Sequence, residues 1–202
     1  MDNLEAVLPS LDILLHPLGL HLSHNKVTVS TVGLVPAMRR FAAASRAVLA
    51  VSLHGTTDEG RGAVVPVNRR HPLGELVGAL EELFPKAAPP AGGPAAWRHG
   101  HHVLIEYTML RGVNDSAEDA ARLLALTARI RCKINLIEFN PHEGTLFEAS
   151  TPKALAAFRD VLIQGGCVAT VRASRGDDKM AACGQLGSAA PRRAPAAAAA
   201  GA

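Results

Sequence analysis

Ala47-Val48-Leu49-Ala50-Val51-Ser52-Leu53-His54 is the stretch whose reading decides the fold. From Ala47 to Leu53 it is apolar almost without interruption, the pattern of a strand buried inside a parallel sheet. Toward the N-terminus, Lys26 to Ser30 alternates and is β-branched, so it predicts a second strand. Thr31-Val32-Gly33 makes a turn, and Pro36 sits in the first turn of a helix through about Ala44. Before that strand, Leu4, Val7, Leu8, Leu11, Leu14 and Leu15 form a helical stripe that Pro17 ends.

Toward the C-terminus, a polar connection, Gly55 to Arg61, leads to Val64-Val65-Pro66-Val67-Asn68, and a helix is expected over Leu73 to Phe84. Val103 to Met109 reads as a strand and Ser116 to Arg129 as a helix, with Ser116 as its cap and Asp119 in its first turn. Lys133 to Ile137 is a further strand. Pro152 to Gln164 is a helix with Pro at its start and Gly165-Gly166 past its end, and Val168 to Val171 is the last strand. Between the Leu73 helix and the Val103 strand, Lys86 to Gly100 is a Pro/Gly/Ala-rich stretch read as a surface loop. From Ser188 onward the composition is Ala/Pro-rich and low in complexity, which predicts a disordered tail over 188–202.

Strand and helix alternate about five times, which means parallel βα units in an α/β fold. An open doubly wound sheet and part of a barrel both satisfy that pattern. No GxGxxG opens a helix after a strand and no GxxxxGK[ST] occurs, so the two common nucleotide-loop fingerprints are absent.

Composition narrows the function classes. The 202 residues carry a net charge of +3 and a pI near 9.0, a balance that permits nucleic-acid binding without requiring it. Aromatic residues are 3% of the chain, too few for a surface that stacks many bases. No run approaches the about 20 apolar residues of a membrane span. Three cysteines, Cys132, Cys167 and Cys183, suit a reducing compartment better than a disulfide scaffold, and there is no CxxC or His/Cys zinc spacing. Met1-Asp2-Asn3-Leu4 resembles neither a secretory signal nor a transit peptide, so a cytoplasmic or organellar-matrix location is expected.

Two sets of residues could carry chemistry. Ligands of parallel α/β folds sit at the carboxyl ends of the strands. Ser30, Ser52-Leu53-His54 and Asn140 fall there, offering hydroxyl, imidazole and amide groups. Read from spacing alone, such groups are more often caps of strand ends and turns. The second set is Arg172-Ala173-Ser174-Arg175-Gly176-Asp177-Asp178-Lys179-Met180-Ala181-Ala182-Cys183-Gly184-Gln185-Leu186. Small neighbours leave the Cys183 sulfur room for a substrate, and Arg172, Arg175 and Lys179 favour its thiolate. A buried, inert thiol is the alternative. Cys132 and Cys167 read as core thiols, and His99, His101 and His102 as part of a solvated loop. Arg111, Arg129, Arg131, Lys133, Arg172 and Arg175 are candidates for holding phosphates, though such scattered basic residues are usually solvated surface.

Arg175-Gly176-Asp177-Asp178 and Ala181 to Leu186 resemble the C-terminal signature of the radical SAM methyltransferases that methylate adenine C2 in 23S rRNA and tRNA. Further family blocks follow in order: Val27 to Gly33, Ser52-Leu53-His54, Ile105 to Leu110, and Cys132 to Pro141. The resemblance covers nearly all of residues 3 to 187. It implies that 1–187 is the C-terminal part of a radical SAM partial barrel, with the first strand and the N-terminal domain missing and a sheet edge exposed.

It further implies S-adenosyl-L-methionine (SAM) as cofactor, contacted by Ser30, Ser52, Leu53, His54 and Asn140, and Cys183 as the residue that carries the methyl group as an S-methyl thioether. The family's 4Fe-4S cluster is held by a CxxxCxxC run. Cysteines 35 and 16 residues apart cannot supply that run, so no metal ligand is expected in this chain. The family's Gly-Glu cofactor segment, its second catalytic cysteine and its N-terminal RNA-binding part would precede Met1. The chain alone is therefore expected to be inactive and to hold SAM weakly, and either the sequence is truncated or a separate chain supplies the front half. The expected partners are 23S rRNA, tRNA and that front half, with no membrane. Two other readings stay open: a degenerate, non-catalytic paralogue, and a relative that methylates adenine C8.

Overall fold

The computed structural model of the chain describes residues 3–87, 102–141 and 145–172. Helix α1 (Leu4–Leu15) is followed by β1 (Thr28–Thr31), α2 (Val35–Ala44), β2 (Val48–Ser52), α3 (Asp58–Val64), α4 (Leu73–Leu83), β3 (Val103–Met109), α5 (Ala117–Thr127), β4 (Cys132–Glu138), α6 (Pro152–Gln164) and β5 (Ala169–Arg172). Short 3₁₀ turns occupy His24–Lys26 and Pro66–Arg69.

The five strands form one sheet in chain order, β1-β2-β3-β4-β5, and every pairing is parallel. A doubly wound sheet reverses its strand order partway; this one never does. Right-handed crossovers between strands that march in one direction place every helix on the same face. The order therefore selects the singly wound, barrel-type α/β arrangement over the doubly wound one.

The helix-covered face holds the core. Along β3, Val103, Ile105, Tyr107 and Met109 are buried and the residues between them half-buried. Leu49, Val51, Ile134 and Leu136 continue that layer against Met38, Phe41, Leu76, Leu80, Leu123, Phe158 and Leu162 from the helices. The rings of Tyr107 and Phe158 stack with centroids 5.4 Å apart.

Among the described residues the other face is the more exposed one. Register pairs place Ser52, Glu106, Asn135 and Thr170 in one row across β2 to β5, and paired residues of parallel strands share a face. All four are half-buried or exposed. Both edge strands are four residues long, and among the described residues β1 pairs with β2 alone.

One segment departs from its reading. Gly55 to Arg61, expected as a polar connection, enters helix α3, whose cap Thr57 accepts a hydrogen bond from the Gly60 amide at 3.1 Å. Asp58 and Glu59 then sit in the first turn, where the helix dipole favours acids. Gly60 and Gly62 hide this helix from any propensity argument. Thr151 and Ser116 cap α6 and α5 in the same way. His102, expected in a solvated loop, is half-buried at the entry to β3. The tail 188–202 and His99 and His101 lie outside the described residues.

Candidate functional site

The carboxyl end of β2 is where most of the expected site residues come together. Ser52 is the last residue of β2, and the buried Leu53 extends the ladder by donating its amide to the Glu106 carbonyl at 2.9 Å. His54 then turns the chain with φ of 55°. A left-handed histidine is uncommon, and its surroundings hold it there. The Thr108 amide donates to His54 Nδ1 at 3.0 Å, and Asn114 Nδ2 donates to the His54 carbonyl at 3.0 Å. With Nδ1 accepting, a neutral ring carries its proton on Nε2. Burial, helped by the charge of Arg61, lowers the His54 pKa to about 4. His54 is thus a fixed hydrogen-bond donor at neutral pH and a poor base.

The lowered pKa has a consequence for stability. In the unfolded chain the imidazole returns to its ordinary 6.5, so between that value and about 4 the unfolded state binds more protons than the folded one. This contribution is fully present above pH 6.5 and is lost as the pH falls toward 4. Its size is up to about 3 kcal/mol. Chemical denaturation at pH 7 and pH 4.5 should show a smaller difference for His54→Asn, a residue that also tolerates positive φ. An unchanged difference would contradict the assignment.

Two side chains outside the expected set hold this turn. Arg61, fully buried on α3, donates to the Leu53 carbonyl at 3.1 Å, the Val32 carbonyl at 2.7 Å and Asn68 Oδ1 at 2.7 Å. It thereby ties the segment after β1 to the end of β2. Gly55 passes so close that a Cβ there would lie 2.6 Å from the Arg61 amide nitrogen. Gly33 has φ of 96°, and its Cβ would press on the guanidinium at 3.1 Å. Asn114, also buried, donates to the Thr108 carbonyl at 2.8 Å and accepts from the Leu110 amide at 2.8 Å. The loop after His54 is anchored in turn by Thr56, which donates to Asp119 at 2.6 Å. Burial pushes the Asp119 carboxyl up, but hydrogen bonds from Thr56, Ser116 and Arg122 outweigh it and hold the group below its usual range.

The remaining expected residues lie on neighbouring strands. Ser30 is exposed on β1, one residue before its end. Asn140 follows β4 by two residues, and its Nδ2 is buried with no hydrogen-bond partner. A buried unpaired donor is costly. It is the kind of group a ligand acceptor satisfies, and it lies at the same end of the sheet as the His54 Nε2–H. The donor set thus fits a small polar ligand with several acceptors.

Nothing comparable exists for a metal. Among the described residues no three His, Cys, Asp or Glu side chains approach as metal ligands. Cys132 and Cys167 are half-buried against the core, and burial pushes the Cys132 thiol up to about 11, which keeps it protonated. The described residues therefore do not fit a 4Fe-4S cluster. Cys183 and its flanking motif, with Arg175, lie outside the described residues. Of the basic residues, Arg111 pairs with Glu148 at 2.8 Å and Arg129 pairs with Glu81, so both are engaged with carboxylates. No helix among the described residues is long and apolar enough to cross a membrane.

Glu106 was legible but unread. A lone acid among Val103, Ile105, Tyr107 and Met109 at period two marks the face opposite the core. Arg61 and Asn114 gave no comparable signal, because an arginine in a polar stretch is usually solvated.

No protein-family model matches the chain. It is 45% identical to the dual-specificity RNA methyltransferase RlmN of Anaeromyxobacter dehalogenans, over 98% of its own length and 51% of that protein's. It is also 45% identical to the RlmN of Geotalea uraniireducens, over 92% of its length and 51% of the relative's. The crystal structure of a radical SAM methyltransferase from Sphaerobacter thermophilus superposes with a TM-score of 0.79 at 38% identity, covering 91% of this chain and 51% of that one. A domain of a pyruvate-formate lyase-activating enzyme from Bacteroides vulgatus shares the fold, with a TM-score of 0.50 at 15% identity. The chain spans about half the length of the curated relatives it matches. Over nearly its whole length the chain is similar in sequence to dual-specificity RNA methyltransferases, and it shares its fold with a radical SAM methyltransferase.

Proposed function

We propose that this chain is the SAM-side, C-terminal part of an enzyme that methylates C2 of adenine in 23S rRNA and tRNA, with Cys183 as the methyl carrier. The observation that carries the reading is the unpaired, buried Asn140 amide at the same sheet end as the fixed His54 donor, in a chain 45% identical to a dual-specificity RNA methyltransferase. Ser30, Ser52, Leu53, His54 and Asn140 would hold SAM: His54 Nε2 and Asn140 Nδ2 donate to its acceptors, while the Ser30 and Ser52 hydroxyls donate or accept. When bound, SAM supplies the methyl group and the radical chemistry that an unreactive adenine carbon requires.

The chain's own residues do the positioning. Arg61 and Asn114 keep the His54 turn rigid, so its donor is aimed before the ligand arrives. The cluster ligands belong in this reading to another part of the protein, on the same polypeptide or on a separate one. The isolated chain is accordingly inactive and binds SAM weakly. Anaerobic treatment with iron and sulfide should leave it colourless and free of bound iron, and a stable stoichiometric 4Fe-4S cluster would overturn that part of the proposal.

The activity is tested with a chimaera in which these residues replace the matching half of the Geotalea uraniireducens relative. Mass spectrometry of 23S rRNA and tRNA from cells lacking their own enzyme should show 2-methyladenosine. Formation of 8-methyladenosine would move the product to C8. A folded, cluster-loaded chimaera with no product would make the chain a non-catalytic paralogue.

A further inference from the structure

We propose that Glu106, on the more exposed face of the sheet, is a binding residue for the vicinal 2′,3′-hydroxyls of a nucleoside ligand. The inference rests on reading this end of the sheet as a nucleoside-cofactor site, and it adds a residue and a chemical specificity that reading does not contain. Glu106 stands in register with Ser52 on one side and Asn135 on the other, and Asn135 with Thr170 beyond it. Ser52 Oγ lies 3.5 Å from Glu106 Oε2, so the carboxylate adjoins the turn that carries Leu53 and His54. Thr170 Oγ1 donates to Asn135 Oδ1 at 3.2 Å, which turns the Asn135 amide NH2 away from Thr170 and leaves it as a donor in the row.

The chemistry of the row selects the ligand. An ionised carboxylate only accepts hydrogen bonds, whereas an amide NH2 only donates. A hydroxyl does both, so a pair of adjacent hydroxyls can donate to Glu106 and accept from Asn135 or Ser52. An ammonium has no lone pair for the amide, and a phosphate would be repelled by the carboxylate. Carboxylates that accept from ribose hydroxyls are a recurrent solution for nucleoside recognition in α/β folds. A nucleotide inside an RNA chain has its 3′-oxygen esterified and offers only one free hydroxyl. The free diol therefore belongs to a mononucleoside ligand and not to the body of an RNA substrate. The half-buried position strengthens a charge-assisted hydrogen bond while leaving the group open to a ligand.

Ligand-observed NMR titration of the 202-residue chain with adenosine, 2′-deoxyadenosine and 3′-deoxyadenosine tests this, because the method detects weak binding. Adenosine should bind about tenfold or more tightly than either deoxynucleoside, the fold-change of one charge-assisted hydrogen bond. In Glu106→Ala that preference should vanish while the deoxynucleosides bind as before. Glu106→Gln, which keeps the shape, should retain a reduced preference. Equal binding of all three by the unaltered chain would overturn the diol proposal and leave the cofactor site standing. No binding of any of them would remove the nucleoside site and the proposal together. Circular dichroism of both variants, matching the parent, separates these outcomes from misfolding.

Discussion

Replacing Arg61 by methionine should lower the stability of the chain by roughly 3–5 kcal/mol. The guanidinium is fully buried and serves three acceptors: the Leu53 and Val32 carbonyls and Asn68 Oδ1. Methionine fills much of the volume but leaves the buried Leu53 carbonyl and Asn68 Oδ1 without the guanidinium, and an orphaned buried acceptor costs about 1–3 kcal/mol. Part of that is recovered, because burial already disfavours the charge and lowers the Arg61 pKa. Asn68 would also lose the partner that holds it against Asp58, whose carboxylate caps the approach to α4 by accepting from the Leu73 amide at 2.7 Å. Arg61→Lys keeps a charge but cannot span three acceptors in different directions, so it should fall between the parent and methionine. Urea unfolding of the three proteins measures this. A methionine variant within about 1 kcal/mol of the parent would show that the guanidinium contacts contribute little net stability.

The second large effect concerns Cys183 in the complete, cluster-loaded enzyme. Cys183→Ala should abolish RNA methylation while leaving cluster content and SAM cleavage largely intact, because the residue is proposed as methyl carrier and not as iron ligand. Were Cys183 only a buried thiol, the same change would cost about 1 kcal/mol of stability and leave turnover measurable. Mass spectrometry of the peptide from Met180 to Leu186 supplies an independent readout, since the carrier role requires one added methyl on Cys183 in the parent. An alanine variant that still methylates at an appreciable rate would rule that role out.

The same two residues mark what could be read from the chain alone. Local patterning determined the elements: the unbroken apolar run at Ala47 to Val51, the period-two alternation at Val103 to Met109, and the Ser116 and Pro152 helix starts all stand where the residues indicated. Each reflects a side chain answering to its near neighbours or to a buried face, which periodicity records directly. The motif around Cys183 and the strand-end groups Ser52-Leu53-His54 could be singled out as candidates from the sequence, because chemistry that needs particular residue types leaves a pattern there.

What only the tertiary structure decided depends on contacts between distant segments. Strand order was one such matter, since five βα units are compatible with both winding schemes until the order β1-β2-β3-β4-β5 is seen. The burial of Arg61 was another. Its three acceptors come from residues 32, 53 and 68, and no local rule predicts that carbonyls from such separate segments will converge to offset the desolvation of a charge. The state of His54 follows from the Thr108 amide, 54 residues away, which fixes its tautomer. The row from Ser52 through Glu106 and Asn135 to Thr170 exists only because the register aligns four strands. Identity and period are properties of neighbours along the chain, whereas register and burial are set by which distant segments meet.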